Sequence, residues 1–250
     1  MTKRFFLLFC LLSMLLAACN GDEGGGDGEE TTSTDPKELI DQSAQKLQDT
    51  TSFQLLLEAA GTPVIINLGG IGMEDTELSF QRAEGTFVAP DKMQADVTVT
   101  LDDVSTNVNV IAIGADQYIN HQLLTLGQWK QQTFAEFNPG DLVSADKGIA
   151  NAVRSLQNPE YVGEDDLDGI EVHHIKGQID ASLVRSITVG LIGTETGNLQ
   201  ADLYIRQQDG LLERLIITEP IEGAEEPTIW TIGLYGYNDE YTVNAPEVQP

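Results

Sequence analysis

The sequence predicts an α+β domain: one antiparallel sheet, wet on one face and covered by helices on the other. Three observations carry the prediction. From residue 51 onward, apolar and polar residues alternate with a period of two in segment after segment. Two other segments, near 36–50 and at 141–157, place apolar residues at helical spacing. The 250 residues are 41% apolar, enough for a packed core, and 24 glycines and 9 prolines without a period mark turns between short strands.

The chain opens on MTKRFFLLFCLLSMLLAAC. Lys3 and Arg4 form a basic start. Residues 5–16 are an apolar run of signal-peptide length, too short to span a bilayer comfortably as a helix. The run ends in Leu16-Ala17-Ala18-Cys19, which resembles the bacterial lipobox. Small residues at 17 and 18 suit a peptidase cleft, and the Cys19 thiol is the nucleophile that takes a diacylglyceryl group. Residues 1–18 are therefore expected to leave as a lipoprotein signal peptide. Cys19 becomes the new N-terminus, carrying diacylglyceryl and fatty acyl groups such as palmitate as its sole covalent additions. Cys10 leaves with the signal, so neither disulfide nor cysteine chemistry is expected afterwards. Two or three acyl chains hold firmly, at about 0.8 kcal/mol per buried CH2. Such an anchor places the protein at the cell membrane, on its extracytoplasmic face.

Residues 20–34, NGDEGGGDGEETTST, carry no large apolar side chain and read as a flexible acidic tether, so 19–34 is lipidated cysteine plus tether. As a coil it spans roughly 20 Å. The folded domain is expected over 35–250. Asp35 suits a helix N-cap, Pro36 the first turn, and Glu38 the third position of a capping box. Leu39, Ile40, Ser43, Ala44 and Leu47 then share one face of a helix of about 13 residues. Strands are read at 52–59, 76–82, 107–113, 116–120, 128–133, 171–179 and 211–218. The clearest alternations run from Met93 to Leu101, from Leu199 to Ile205 and from Trp230 to Leu234. Gly114-Ala115-Asp116 and Gln208-Asp209-Gly210 suit hairpin turns. A second helix over 141–157 follows the turn Asn138-Pro139-Gly140, with Leu142, Val143, Ile149, Val153 and Leu156 as its apolar set.

Composition excludes several functions. Against 40 acidic residues stand 13 basic ones, a net charge of -27, the wrong sign for tracking phosphates, so no nucleic-acid partner is expected. An anionic membrane surface repels such a body, so attachment must be covalent or apolar. His121, His173 and His174 are the only histidines, and the last two are neighbours on a predicted strand, pointing to opposite faces. No metal site and no catalytic residue are assigned. There is no Gly-x-Ser-x-Gly elbow, no His-Glu-x-x-His and no Gly-Lys-Ser/Thr phosphate loop. Gly69-Gly70-Ile71-Gly72 reads as a loop, and Glu164-Asp165-Asp166-Asp168 as a solvated turn before a strand.

A series of weak motifs recurs in order along the rest of the chain. It runs from Glu84-Gly85 through Pro90-Asp91-Lys92, Tyr118, Trp129-Lys130, Asn138-Pro139 and Gly148-Ile149-Ala150-Asn151. It continues through Gly163-Glu164, Leu167-Asp168-Gly169-Ile170, His174-Ile175-Lys176-Gly177, Ala201-Asp202-Leu203-Tyr204-Ile205, Gly210-Leu211-Leu212-Glu213-Arg214 and Tyr241-Thr242-Val243-Asn244-Ala245-Pro246. Together these resemble the LppX/LprA/LprF/LprG lipoprotein family over most of 36–247. The resemblance implies a strongly curved antiparallel half-barrel with helices across its concave face, related in shape to the LolA/LolB carriers. It implies an apolar cavity for the acyl chains of lipids or glycolipids, carriage of those lipids within the cell envelope, and work beside a membrane lipid exporter. The sequence departs from the family pattern in a longer stretch before Gly148, in Tyr204 where a tryptophan is usual, and in its acidity.

The residues themselves agree on one point: two modest helices under-fill a one-sided apolar sheet, leaving room for an apolar ligand. Candidate lining residues are Val97, Val99, Val108, Val110, Leu203, Ile205, Leu215 and Ile217 from the sheet, with Ile149 and Val153 from the second helix. The favoured reading is a monomeric, non-enzymatic lipid carrier. A structural or sensory envelope lipoprotein with a solid core and a protein partner fits the same pattern. A surface hydrolase would need two converging carboxylates in a cleft, one with a raised pKa.

Overall fold

The computed structural model describes residues 34–67, 77–101, 104–131 and 137–248. The signal segment, Cys19, the tether as far as residue 33, the Gly69–Gly72 loop and the outer ends of the strands read at 76–82 and 128–133 lie outside the described residues. Helix α1, Pro36–Gln48, begins where the capping residues place it. The Asp35 carboxylate accepts from the Lys37 backbone N–H at 2.9 Å. Leu39, Ile40, Ser43, Ala44 and Leu47 are all buried on its inner face. Lys46 in the last turn complements the helix dipole and donates to the Asp209 carbonyl.

Twelve strands follow among the described residues: β1 Ser52–Gly61, β2 Val64–Asn67, β3 Glu77–Val88, β4 Lys92–Leu101, β5 Val104–Ile113, β6 Asp116–Asn120 and β7 Lys130–Gln131, then β8 Gln157–Leu167, β9 Ile170–Asp180, β10 Asn198–Arg206, β11 Leu212–Glu219 and β12 Thr228–Tyr235. They form one antiparallel sheet in the order β7-β6-β5-β4-β3-β1-β12-β11-β10-β9-β8, with β2 extending the line of β1 along β3. The sheet is open and curved, so the α+β half-barrel class read from the sequence stands. At the bend between β1 and β2, Gly61 is in a left-handed conformation, and a Cβ there would run into the Pro227 carbonyl.

The predicted helix at 141–157 is corrected. Its first turn is a short 3-10 helix, Pro139–Val143, and the α-helical part is only α2, Gly148–Arg154. The break has a local cause. Ser144 is extended, and its hydroxyl donates to the Asp141 carbonyl and accepts from the Lys147 N–H. Gly148 then takes φ +70°, and a Cβ at that point would strike the carbonyls of Asp141 and Leu142. A second correction concerns Glu164, Asp165 and Asp166, which belong to edge strand β8; the turn comes after them, at Asp168 and Gly169, both with positive φ. Helix α3, Ala181–Ile187, was not legible: seven residues show less than two full helical periods.

Candidate functional site

The register of the sheet shows how an internal space arises. One row of inward side chains crosses eight strands: Ile175, Leu203, Leu215, Ile232, Leu57, Ala83, Val97 and Val108. From β9 to β1 the row is large and aliphatic. Beyond β1 it opens with an alanine. The next rows behave alike: Leu55 meets Gly85, Ala95 and Val110, and Phe53 meets Phe87, Met93 and Ala112. The small residues Ala83, Gly85, Ala95 and Ala112 therefore sit side by side on β3, β4 and β5, where bulky neighbours would fill the interior.

The helices do not compensate. Helix α1 packs on α2, β8 and β11, over the bulky half of the sheet, and α2 adds Ile149, Ala150, Ala152 and Val153 to that solid core. Among the described residues, those that line the cavity opposite β3–β5 are Phe137, Leu142 of the 3-10 turn, Ile187 of α3, and Val189 and Leu191 after it. Between this thin roof and the small-residue floor is a cavity of about 320 Å³. Fifteen of its sixteen lining residues are apolar, among them Leu55, Leu57, Ile66, Phe80, Met93 and Ala95. The exception, Gln117, is buried and donates from Nε2 to the Phe137 carbonyl at 3.2 Å. A ligand in this space meets dispersion contacts and almost no hydrogen-bond partners.

Two features define the roof. Val189 is 42% exposed and adopts φ +54°. A β-branched residue is rarely left-handed, so the chain accepts strain where an apolar side chain both lines the cavity and meets solvent. This marks the mouth. Behind it, the segment after α3 is fastened by Glu219, which is 1% exposed. One carboxylate oxygen accepts from Trp230 Nε1 at 2.8 Å and the other from the Thr194 N–H at 2.7 Å. A carboxyl group so buried is satisfied by these two donors.

Of the ten residues selected from the sequence, Val97 and Val110 stand on the cavity wall. Val108 continues the Val97 row on β5, and Val99 is buried nearer the strand end. Ile149 and Val153 pack into the core from α2, and Leu203, Ile205, Leu215 and Ile217 are wholly buried in the solid half. The floor alanines and Gly85 were missed. Their signal was present in the alternation Ala83-x-Gly85 and Met93-x-Ala95-x-Val97, which puts unusually small residues on one face of neighbouring strands.

The opposite face of these strands is polar. Glu84, Asp96 and Asn109 form one outer row, with Asn109 donating to Asp96, and they share a more open groove of about 350 Å³ with Gln54, Gln94, Trp129 and Tyr235. The two neighbouring histidines on β9 engage different groups. His173 Nδ1 meets the Tyr161 hydroxyl at 3.1 Å, and His174 Nε2 meets Asp202 at 2.7 Å while stacking on Tyr204. No cluster of three metal-ligating side chains occurs among the described residues. None of their helices is long and apolar enough to cross a membrane.

Comparison with known proteins places this architecture. The crystal structure of LprF from Mycobacterium bovis superposes with a TM-score of 0.64 at 18% identity, over 86% of this chain and 98% of that one. The crystal structure of lipoprotein LppX from Mycobacterium tuberculosis gives a TM-score of 0.55 at 19% identity, over 83% of this chain and 97% of that one. At that identity the two comparisons show a shared fold. In sequence, the chain is 33% identical over 69 residues to a Mycobacterium bovis protein named "Putative diacylated glycolipid transporter LprF", a stretch covering 28% of this chain and 26% of that protein. The family model "LppX_LprAFG lipoprotein" matches residues 35–243, from the α1 cap through β12. The open curved sheet, its one-sided helical cover and this near-complete family match together show that the chain belongs to the LppX_LprAFG lipoprotein family.

Proposed function

We propose that this protein is a lipid carrier of the cell envelope, taking acyl chains of a lipid or glycolipid into the apolar cavity beneath Val189 and Leu191. The observation that carries the reading is the cavity: about 320 Å³, with fifteen of sixteen lining residues apolar. That volume lies at the small end of the roughly 300–1,000 Å³ typical of ligand sites. An acyl chain leaving water gains about 0.8 kcal/mol per CH2 on burial. Exchange between a bilayer and an apolar cavity is nearly balanced, because both surroundings are hydrocarbon-like. The cavity therefore shields the chain in transit and still releases it to a membrane.

The reading requires no cofactor and no bond-making residue, so the protein acts by binding alone. Cys19 would carry the diacylglyceryl anchor, holding the domain on the extracytoplasmic face within reach of its tether and of a membrane lipid exporter. Glycolipids enter as a ligand class because a relative bears the name of a glycolipid transporter. Ligand identity is tested by extracting the purified chain with organic solvent and analysing the extract by mass spectrometry. Near-stoichiometric non-covalent lipid supports the carrier. A chain that stays empty after incubation with envelope lipids rejects it.

A further inference from the structure

Five exposed apolar side chains gather at one end of the sheet, the end where the cavity opens. Ile65 on β2 pairs with Ser79, which pairs with Thr100, which pairs with Ser105, so one level crosses four strands. Val104 stands one residue beyond that level. Thr106, one residue below it, is bound through its hydroxyl to His121 Nε2 at 2.9 Å. His121 Nδ1 accepts from the N–H groups of Leu123 and Leu124, so Nε2 carries the proton, and the turn that presents Leu123 and Leu126 is built on this buried ring. Val189 reaches the same end: it lies between β9 and β10, whose paired ends Asp180 and Asn198 are aligned through Glu219 and Thr228 with Gly61 at the bend before β2. Ile65, Val104, Leu123, Leu126 and Val189 are between 42% and 79% exposed.

Apolar side chains grouped in this way mark a surface that meets something apolar. These five sit on strand tips and turns of separate elements, a set of points suited to a compliant surface. The exposed carboxylates Glu77, Glu195, Glu222, Glu225 and Glu226 stand on the strands and loops of that end, and the chain as a whole carries -27. These carboxylates outweigh Arg185, an exposed cation of α3, so attraction to anionic headgroups does not supply the contact and apolar insertion must. We propose that this end docks on a neutral, zwitterionic bilayer, with Leu123, Leu126 and Val189 entering the headgroup–acyl boundary, so that an acyl chain passes between bilayer and cavity without crossing water. The proposal rests on the carrier reading and adds to it the surface that the carrier engages.

The test places a tryptophan at each end of the sheet. Leu126→Trp reports the proposed contact, and Gln208→Trp, in the exposed β10–β11 turn, reports the other end, roughly 25 Å away at 3.3 Å per strand residue. Each full-length variant is reconstituted on phosphatidylcholine vesicles with brominated acyl chains, and emission is compared with unbrominated vesicles and with the parent chain. Trp129 and Trp230 of the parent supply the baseline. Insertion by about 5–10 Å brings the probe to the bromines, so the emission that L126W adds over the parent is expected to fall at least about twofold, while the emission that Q208W adds holds steady. High salt should leave the quenching intact, and adding phosphatidylglycerol should weaken it. No quenching of L126W, equal quenching of Q208W, or a contact made only on anionic vesicles overturns the docking surface. Solvent extraction of the same purified proteins before they meet vesicles separates the two readings: bound lipid without later quenching rejects docking alone, whereas absence of bound lipid rejects the carrier itself.

Discussion

Ala83, Ala95 and Ala112 line the cavity; Ala83 stands in the row of Ile232 and Leu57, Ala95 in that of Leu234 and Leu55, and Ala112 in that of Phe53 and Phe87, and these small residues open the space. Filling it should show in two quantities. Ala95→Leu is expected to stabilise the fold by about 0.5–2 kcal/mol in denaturant unfolding, as cavity-filling changes do, while reducing co-purified lipid. A loss of stability would mean that the floor is already packed. Val153→Trp, at a position the sequence offers as cavity wall, should behave in the opposite way. Val153 is 1% exposed in the solid core, so the larger ring overpacks it and costs about 1–3 kcal/mol. Glu219 is the other decisive residue. Glu219→Ala strips acceptors from Trp230 Nε1 and the Thr194 N–H and should cost about 3 kcal/mol, with Glu219→Gln recovering part of it. Equal stability of all three chains in urea titrations would refute its role in fastening the roof.

Single elements differ in how well they can be read. Helix α1 is legible because every local signal agrees: Asp35 caps, Pro36 starts, and five spaced residues bury. Strands β4, β10 and β12 are legible because one face is wet and the other dry. Strand β8 is not, since it lies at the sheet edge, and its run of acids Glu164, Asp165 and Asp166 erases the alternation. Those charges also discourage edge-to-edge pairing with another chain. The 141–157 segment misled because Leu142, Ile149 and Val153 have helical spacing across a break that only Gly148 reveals. Gly148→Ala combines a left-handed backbone with a collision against two carbonyls. It should cost more than about 1 kcal/mol and loosen Leu142 over the cavity, lowering both the thermal midpoint and the amount of bound lipid. An unchanged melting curve would contradict this view of the break.

For the molecule as a whole, the fold class was readable and the location of the cavity was not. Leu203 and Val97 look alike in an alternating strand; only the assembled fold shows that one is wholly buried in the solid core and the other lines the cavity. The charge distribution is also a property of the whole. Burial raises the Glu213 pKa above its usual 4.5, more than Arg206 and Arg214 lower it, and one of its buried oxygens has no hydrogen-bond partner. The unfolded chain gives up this proton near the usual value, and the folded chain keeps it longer. Stability from this group is therefore complete below 4.5 and is lost as pH rises through the higher folded value. Glu213→Gln should flatten that part of the stability profile and leave the variant firmer than the parent near neutrality. A parallel profile would sink the assignment.

Native mass spectrometry of residues 34–250, with and without Ala95→Phe and Ala112→Phe, addresses the central claim most directly. Without residues 1–33, any added mass is non-covalent ligand. The parent should carry one lipid per chain, and the doubly substituted chain should fold, by circular dichroism, but fly empty. Equal lipid occupancy in the two chains, or a parent that binds none from envelope lipid extracts, would contradict a carrier built on this small-residue floor.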